Sequence, residues 1–225
     1  MKEAFTNSAN SAKTRAKAAR ALIVVDVQND FLPGGALAVP HGDEIIAPLR
    51  ELMESGVFDL IVATQDWHPH RHISFASSHP DHHPMDTIKL YGHPQTLWPD
   101  HCVQGSAGAA LQRDLPWHRA AAIIRKATDP VVDSYSAFRN NWNARRKRPP
   151  TGLTGYLKNH GVREVFICGL ARDYCVRWSA EDAVRDGFRT SVIWGLCRSI
   201  DPSHDAQLRR SLTARGVKII DRANV

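Results

Sequence analysis

No stretch of this 225-residue chain approaches the run of about 18–20 apolar residues that a bilayer-spanning helix needs. A membrane protein of that kind is not expected. Cysteine is scarce: Cys102, Cys168, Cys175 and Cys197 are the only four, and none forms a CxxC or zinc-knuckle spacing. Residues 1–20 are rich in Ala, Ser, Asn and Lys and lack the apolar core of a secretory signal. Free thiols in a reducing compartment, and therefore a cytoplasmic protein, are the expectation. The chain has no internal repeat and no linker that would split it. It is read as a tail over 1–20 followed by one domain over 21–225.

The net charge is +6 and the pI near 9.4. Much of the excess is local, in Lys13, Arg15, Lys17 and Arg20 and in Arg145, Arg146, Lys147 and Arg148. Neither cluster carries the interleaved aromatics of a single-strand binder, and no zinc-finger or helix-turn-helix spacing accompanies them. Solvated surface is the preferred reading, and a nucleic-acid partner is not expected. Whether the chain forms a homo-oligomer is left open.

Short β-branched runs fall at 21–27, 59–66, 120–126, 164–170, 189–195 and 216–220. Helical patterns lie between them at 43–55, 151–160, 173–186 and 203–215. That alternation predicts an α/β fold, a mostly parallel central sheet with helices on both faces. Gly187 marks the expected stop of the third helix. Residues 67–118 break the alternation: they are rich in histidine and proline and too long for a passive connection.

Ligands of open α/β sheets bind beyond the carboxyl ends of the strands. Asp26 stands at the end of the first run, Asp66 at the second, Lys126 at the third, and Cys175 just past the fourth. An acid, a base and a thiol are thus expected along one sheet edge. Cys175 in a first helical turn would sense the positive end of the dipole, which favours thiolate; its bland alternative is a small core residue. Asp26 follows four aliphatic residues and needs a partner such as Lys126, in a structural ion pair if not in catalysis. Arg125 competes with Lys126, although strand alternation puts the two on opposite faces. Asp66, His68 and His101 offer a carboxylate and two imidazoles, a donor set that suits zinc or non-haem iron. A non-metal reading carries equal weight on spacing alone, and His70, His72, His79, His82, His83 and His93 are further candidates.

The segments "IVVDVQNDFLPGGALAV", "VATQDWHPHRHISFAS", "TLWPDHCVQGS", "DSYSAF" and "GLARDYCVRWSAEDAVRDG" together resemble the nicotinamidases (pyrazinamidases) of the isochorismatase-like cysteine hydrolases. The matching blocks run in order from about residue 20 to 197. The resemblance implies a single Rossmann-like, three-layer α/β/α domain that hydrolyses nicotinamide to nicotinate and ammonia through a cysteine thioester, in NAD salvage. It implies a catalytic triad of Asp26, Lys126 and Cys175, with an oxyanion hole from the N–H groups of Ala171 and Cys175 and a cis peptide before Ala171. One divalent ion, zinc first with iron or manganese as alternatives, would be held by Asp66, His68 and His101. Phe31, Trp98 and Tyr135 would bind the pyridine ring. Three positions depart from the pattern: Arg172 where threonine is common, Ala127 where glycine often follows the lysine, and the loop 140–150. The rival readings are an amidase of the same superfamily acting on another small amide or carbamoyl compound, and a catalytically silent relative that binds a metal or ligand.

Overall fold

A computed structural model describes residues 19–225. The tail expected over 1–20 lies, apart from its last two residues, outside the described residues. Eight strands are described, β1 (Ala19–Val25), β2 (Leu60–Asp66), β3 (Thr87–Leu90), β4 (His93–Thr96), β5 (Ala122–Lys126), β6 (Val162–Leu170), β7 (Arg189–Arg198) and β8 (Lys218–Ile220). Four α-helices are described, α1 (Ile46–Glu54), α2 (Leu153–Asn159), α3 (Arg177–Arg185) and α4 (Asp205–Ala214).

Six strands form one sheet in the order β5-β2-β1-β6-β7-β8, and every neighbouring pair is parallel. Strand order runs outward in opposite directions from β1 and from β6. Right-handed crossovers therefore send α1 to one face and α3 and α4 to the other. The centre strands are aliphatic because both faces are covered, and Ala21 to Val25 are fully buried. The expected α/β architecture is the observed one. No described helix is long and apolar enough to cross a membrane.

The reversal of strand order between β1 and β6 opens a crevice at their carboxyl ends, the usual ligand position in such sheets. Val25 pairs with Gly169 there. Gly169 has φ +116°, and a Cβ on it would collide with the Val25 carbonyl, so only glycine lets the two strands approach at this point. The expected third helix begins differently from its pattern. Residues Arg172–Val176 form a wider π-type turn before α3 starts at Arg177. Its end is as expected, with Gly187 at φ +90° and its N–H donating to Val184 O at 3.0 Å.

Residues 67–118 contribute nothing to the main sheet. They carry the antiparallel hairpin β3–β4 and otherwise fold over the strand ends as turns and bridges. Asp30 anchors this layer. Its carboxylate accepts from Cys102 N at 2.7 Å and from Ala36 N at 3.2 Å, and a Cβ on Gly108 would collide with it. The segment that follows β1 and the far part of the long loop are thereby tied together.

Candidate active site

Lys126 closes β5 in register with Asp66 at the end of β2, and its Nζ is the hub of the strand ends. It lies 2.8 Å from Asp26 Oδ2 and donates to Asp66 Oδ1 at 2.8 Å, to Ser134 O at 3.0 Å and to Cys175 Sγ at 3.5 Å. All four side chains are buried. Arg125 is removed from the competition: it turns the other way, over the Trp67 ring at 4.0 Å, and donates to Gln65 Oε1.

Asp26 takes φ +45° just past β1, a conformation uncommon outside glycine and often found at functional positions. Its Oδ1 accepts from Thr64 Oγ1 at 2.7 Å. Gln28 fixes Asp66 from the side, accepting from Asp66 N at 2.7 Å and donating to Asp66 O at 2.8 Å. Ala127, the expected glycine position, has φ +53°, which explains why glycine suits the site.

The two carboxylates are driven in opposite directions. Burial pushes the Asp26 carboxyl above the ordinary range, and the nearby Lys126 ammonium only partly offsets this. Burial pushes Asp66 up as well, but Lys126, His68 and His101 outweigh it and hold the carboxyl far below the usual range. For Lys126, burial favours loss of the proton, yet Asp26 and Asp66 keep the amine charged well above its ordinary range. Burial also pushes the Cys175 thiol well up, with Lys126 opposing. Burial thus opposes the thiolate expected from a helix dipole and favours the thiol form of Cys175, beside a carboxylate of raised basicity.

On the other side of Asp66 stand the two histidines. His68 Nε2 is 4.0 Å from Asp66 Oδ1, and His101 Nε2 is 3.7 Å from Asp66 Oδ2. His101 Nδ1 donates to Pro99 O at 2.8 Å, which leaves Nε2 facing the carboxylate. One donor atom from each of Asp66, His68 and His101 lies within 4.8 Å of the others. A buried carboxylate and two imidazoles converging in this way fit a divalent cation.

The remaining histidines divide. His72 is buried beside His68, but its ring is engaged by Ser74 Oγ at 2.7 Å and Asp129 O at 2.9 Å. His93 stacks on Trp142 at 4.3 Å, His79 donates to Ile73 O, and His70, His82 and His83 are exposed.

A pocket opens above Cys175, and Phe31, Trp98, Tyr135 and Ala171 line it together with the two histidines. Trp98 Nε1 donates to Tyr135 Oη at 3.2 Å, and Gln95 Nε2 donates to the same oxygen at 2.9 Å. The Leu170–Ala171 peptide is cis. The Ala171 carbonyl accepts from Tyr174 N and Val176 N, which closes the turn around Cys175.

Asp133 also lines the pocket, 3.6 Å from His68 Nε2 and accepting from Gln95 Nε2 at 2.6 Å. Sequence reasoning passed over it, although it opens the "DSYSAF" segment. Thr64 was missed too; lying two residues before Asp66 on β2, it shares that residue's face, and strand alternation is the signal that finds it. Arg172 neither lines the pocket nor faces solvent. It is buried, pairs with Asp205 and donates to the carbonyls of Trp194 and Cys197. In the basic loop, Arg148 makes a two-pronged contact with Asp182 and lies 4.9 Å over Trp178, while Arg145, Arg146 and Lys147 are exposed.

The isochorismatase domain model matches residues 20–224, nearly the whole of the described chain. The chain belongs to the isochorismatase family. Among members of that family, it is 48% identical over 206 residues to a nicotinamidase of Acinetobacter baylyi, covering 91% of this chain and 94% of that one. It is similar in structure to an Acinetobacter baumanii nicotinamidase/pyrazinamidase, with a TM-score of 0.86 and 44% identity over 93% of this chain and 99% of that one. A Pyrococcus horikoshii pyrazinamidase in complex with zinc is also similar, with a TM-score of 0.70 and 39% identity over 90% and 98% of the two chains.

Proposed function

We propose that this isochorismatase-family hydrolase is a nicotinamidase, cleaving nicotinamide to nicotinate and ammonia with Cys175 as nucleophile. The observation that carries the reading is the single ammonium of Lys126, within 3.5 Å of Cys175 Sγ and 2.8 Å of two carboxylates at the mouth of an aromatic pocket. High identity to nicotinamidases over almost the full length supports the substrate.

Asp26 acts as general base and takes the Cys175 proton as the sulfur attacks the carboxamide carbon. Burial raises the basicity of Asp26, which suits it to take the proton as Sγ attacks, so no standing thiolate is needed. The N–H groups of Ala171 and Cys175 hold the tetrahedral oxyanion, and a strong donor of this kind stabilises the transition state by about 3–4 kcal/mol. Asp26 returns the proton to the nitrogen, the C–N bond breaks, ammonia leaves and a thioester remains. Water, deprotonated by Asp26, then attacks the thioester; nicotinate departs and the thiol is restored. Lys126 stays charged throughout and offsets the changing charge on Asp26 and Cys175. Phe31, Trp98 and Tyr135 hold the ring so that its carboxamide meets Sγ.

Asp66, His68 and His101 would hold one divalent ion, zinc by preference, given the donor set and the zinc-bound relative. When bound, such an ion supplies Lewis acidity for orienting a ring nitrogen and acidifying a coordinated water. Four free, buried thiols fit a reducing compartment, so we assign the reaction to the cytoplasm; as a nicotinamidase the protein would serve NAD salvage.

The test is ammonia and nicotinate release from nicotinamide, run beside a panel of other small amides and carbamoyl compounds. Turnover of nicotinamide ahead of the panel is expected. No release from nicotinamide, with turnover of a panel member, would replace this reading with that of another amidase.

A further inference from the structure

We propose that Ile200 is a fixed wall of the substrate pocket that selects amides by ring size, and that Asp173 is the positioning residue that holds it there. The choice of test substrates rests on the nicotinamidase reading; the wall itself rests on geometry. Ile200 lies in the segment after β7 and lines the pocket together with Cys175. Its place is set by the turn that carries the nucleophile. The two oxygens of the Asp173 carboxylate accept from successive backbone N–H groups, Ile200 N at 3.0 Å and Asp201 N at 2.9 Å.

The neighbouring residue, Arg172, grips the chain that flanks this segment. The Arg172 guanidinium donates to the carbonyls of Trp194 (at 3.1 Å) and Cys197, pairs with Asp205 and lies 4.2 Å over the Trp194 ring. Asp205 in turn accepts from Ser199 Oγ. Two adjacent residues of the nucleophile turn, of opposite charge, thus fasten the chain before and after Ile200. Asp173 acts through main-chain N–H groups, so its contacts do not dictate the side chain at position 200. That leaves the side chain to be set by the pocket. An anchored wall cannot retreat from a larger ligand, and one methyl group against such a wall changes relative turnover by about tenfold or more.

The experiment compares wild type with Ile200→Ala, Ile200→Val and Asp173→Asn. The first readout is kcat/KM for nicotinamide against ring-methylated nicotinamides and quinoline-3-carboxamide. Ile200→Ala is expected to cut the preference for nicotinamide over the larger amides by about tenfold or more, chiefly by raising their kcat/KM. Ile200→Val should keep most of the preference. Asp173→Asn should shift it in the same direction by less, raising KM for nicotinamide more than it lowers kcat. An unchanged preference in Ile200→Ala overturns the wall, and an unchanged preference in folded Asp173→Asn overturns its positioning role.

The second readout needs no amide turnover. The rates of Cys175 alkylation by iodoacetamide and by N-naphthyl iodoacetamide are followed by peptide mapping. Ile200→Ala should narrow the gap between the small and the bulky reagent. If wild type releases no ammonia from nicotinamide, the functional reading falls, and the alkylation ratio still decides: a gap that Ile200→Ala leaves unchanged overturns the wall.

Discussion

Asp26 and Asp66 sit at the ends of adjacent strands, both buried, each with an oxygen 2.8 Å from the same Lys126 nitrogen. Yet the first carboxyl is pushed above the ordinary range and the second is held far below it. The shared ammonium cannot be the cause. Asp66 has two imidazoles on its far side, whereas Asp26 has one hydroxyl, from Thr64, and a thiol. One ammonium between two carboxylates leaves a net negative charge to be allotted. The histidine side stabilises its anion, so the excess proton affinity falls on the cysteine side. A cation-holding half and a proton-moving half are thereby built from the same residue type.

The sharpest way to break this contrast is to remove one side and read both. Cys175→Ala and Asp26→Asn should each lower ammonia release by about 10⁴-fold or more while leaving bound metal, measured by elemental analysis, unchanged. Loss of the metal in either variant would mean the halves are not separable. His101→Ala should do the reverse first, losing most of the metal, with activity falling as a consequence; metal retained at wild-type level would remove His101 from the ligand set.

Lys126→Met cuts the link between the halves and leaves two buried carboxylates without their cation. Unfolding free energy from urea titration is expected to fall by about 3–5 kcal/mol. A loss below about 1 kcal/mol, the level of an exposed pair, would contradict the hub.

Thr64→Val sharpens the cysteine side alone. In the wild type, the acidic limb of kcat/KM should lie above 3.8, the ordinary value for aspartate, because the base must be ionised to accept the thiol proton. Removing the Thr64 donor takes a hydrogen bond from the charged form. The Asp26 pKa rises further, and the acidic limb should move to higher pH. A limb that stays put would transfer the titration to another group. Smallest of all, Ala127→Gly should leave metal and turnover unchanged and cost little or no stability, since φ +53° is a glycine-favouring conformation. A thermal midpoint several degrees lower would argue against that view.

What could be read from sequence was what regular structure dictates. β-branched runs alternating with helical patterns gave a parallel sheet, and a parallel sheet puts Asp26, Asp66, Lys126 and Cys175 along one edge. His101 was harder, since no periodicity governs residues 67–118; its position depends on Asp30 holding Cys102 N across the loop. Asp133 lies in irregular chain between β5 and α2, where no strand end or helix turn marks a side chain as inward-facing. The direction of Arg172 follows from a π-type turn that apolar spacing does not encode. The protonation of Cys175 escaped for another reason: helix polarity is local in sequence, whereas the burial that overrides it is a property of the packed fold.

The covalent step is the most direct place to test the cysteine side. Protein mixed with nicotinamide, quenched in acid during turnover and digested for mass spectrometry should carry a nicotinoyl group on the peptide containing Cys175, and Asp26→Asn should suppress it. Sustained ammonia release with Cys175 unmodified at every quench time, or with the acyl group on another residue, would contradict the account.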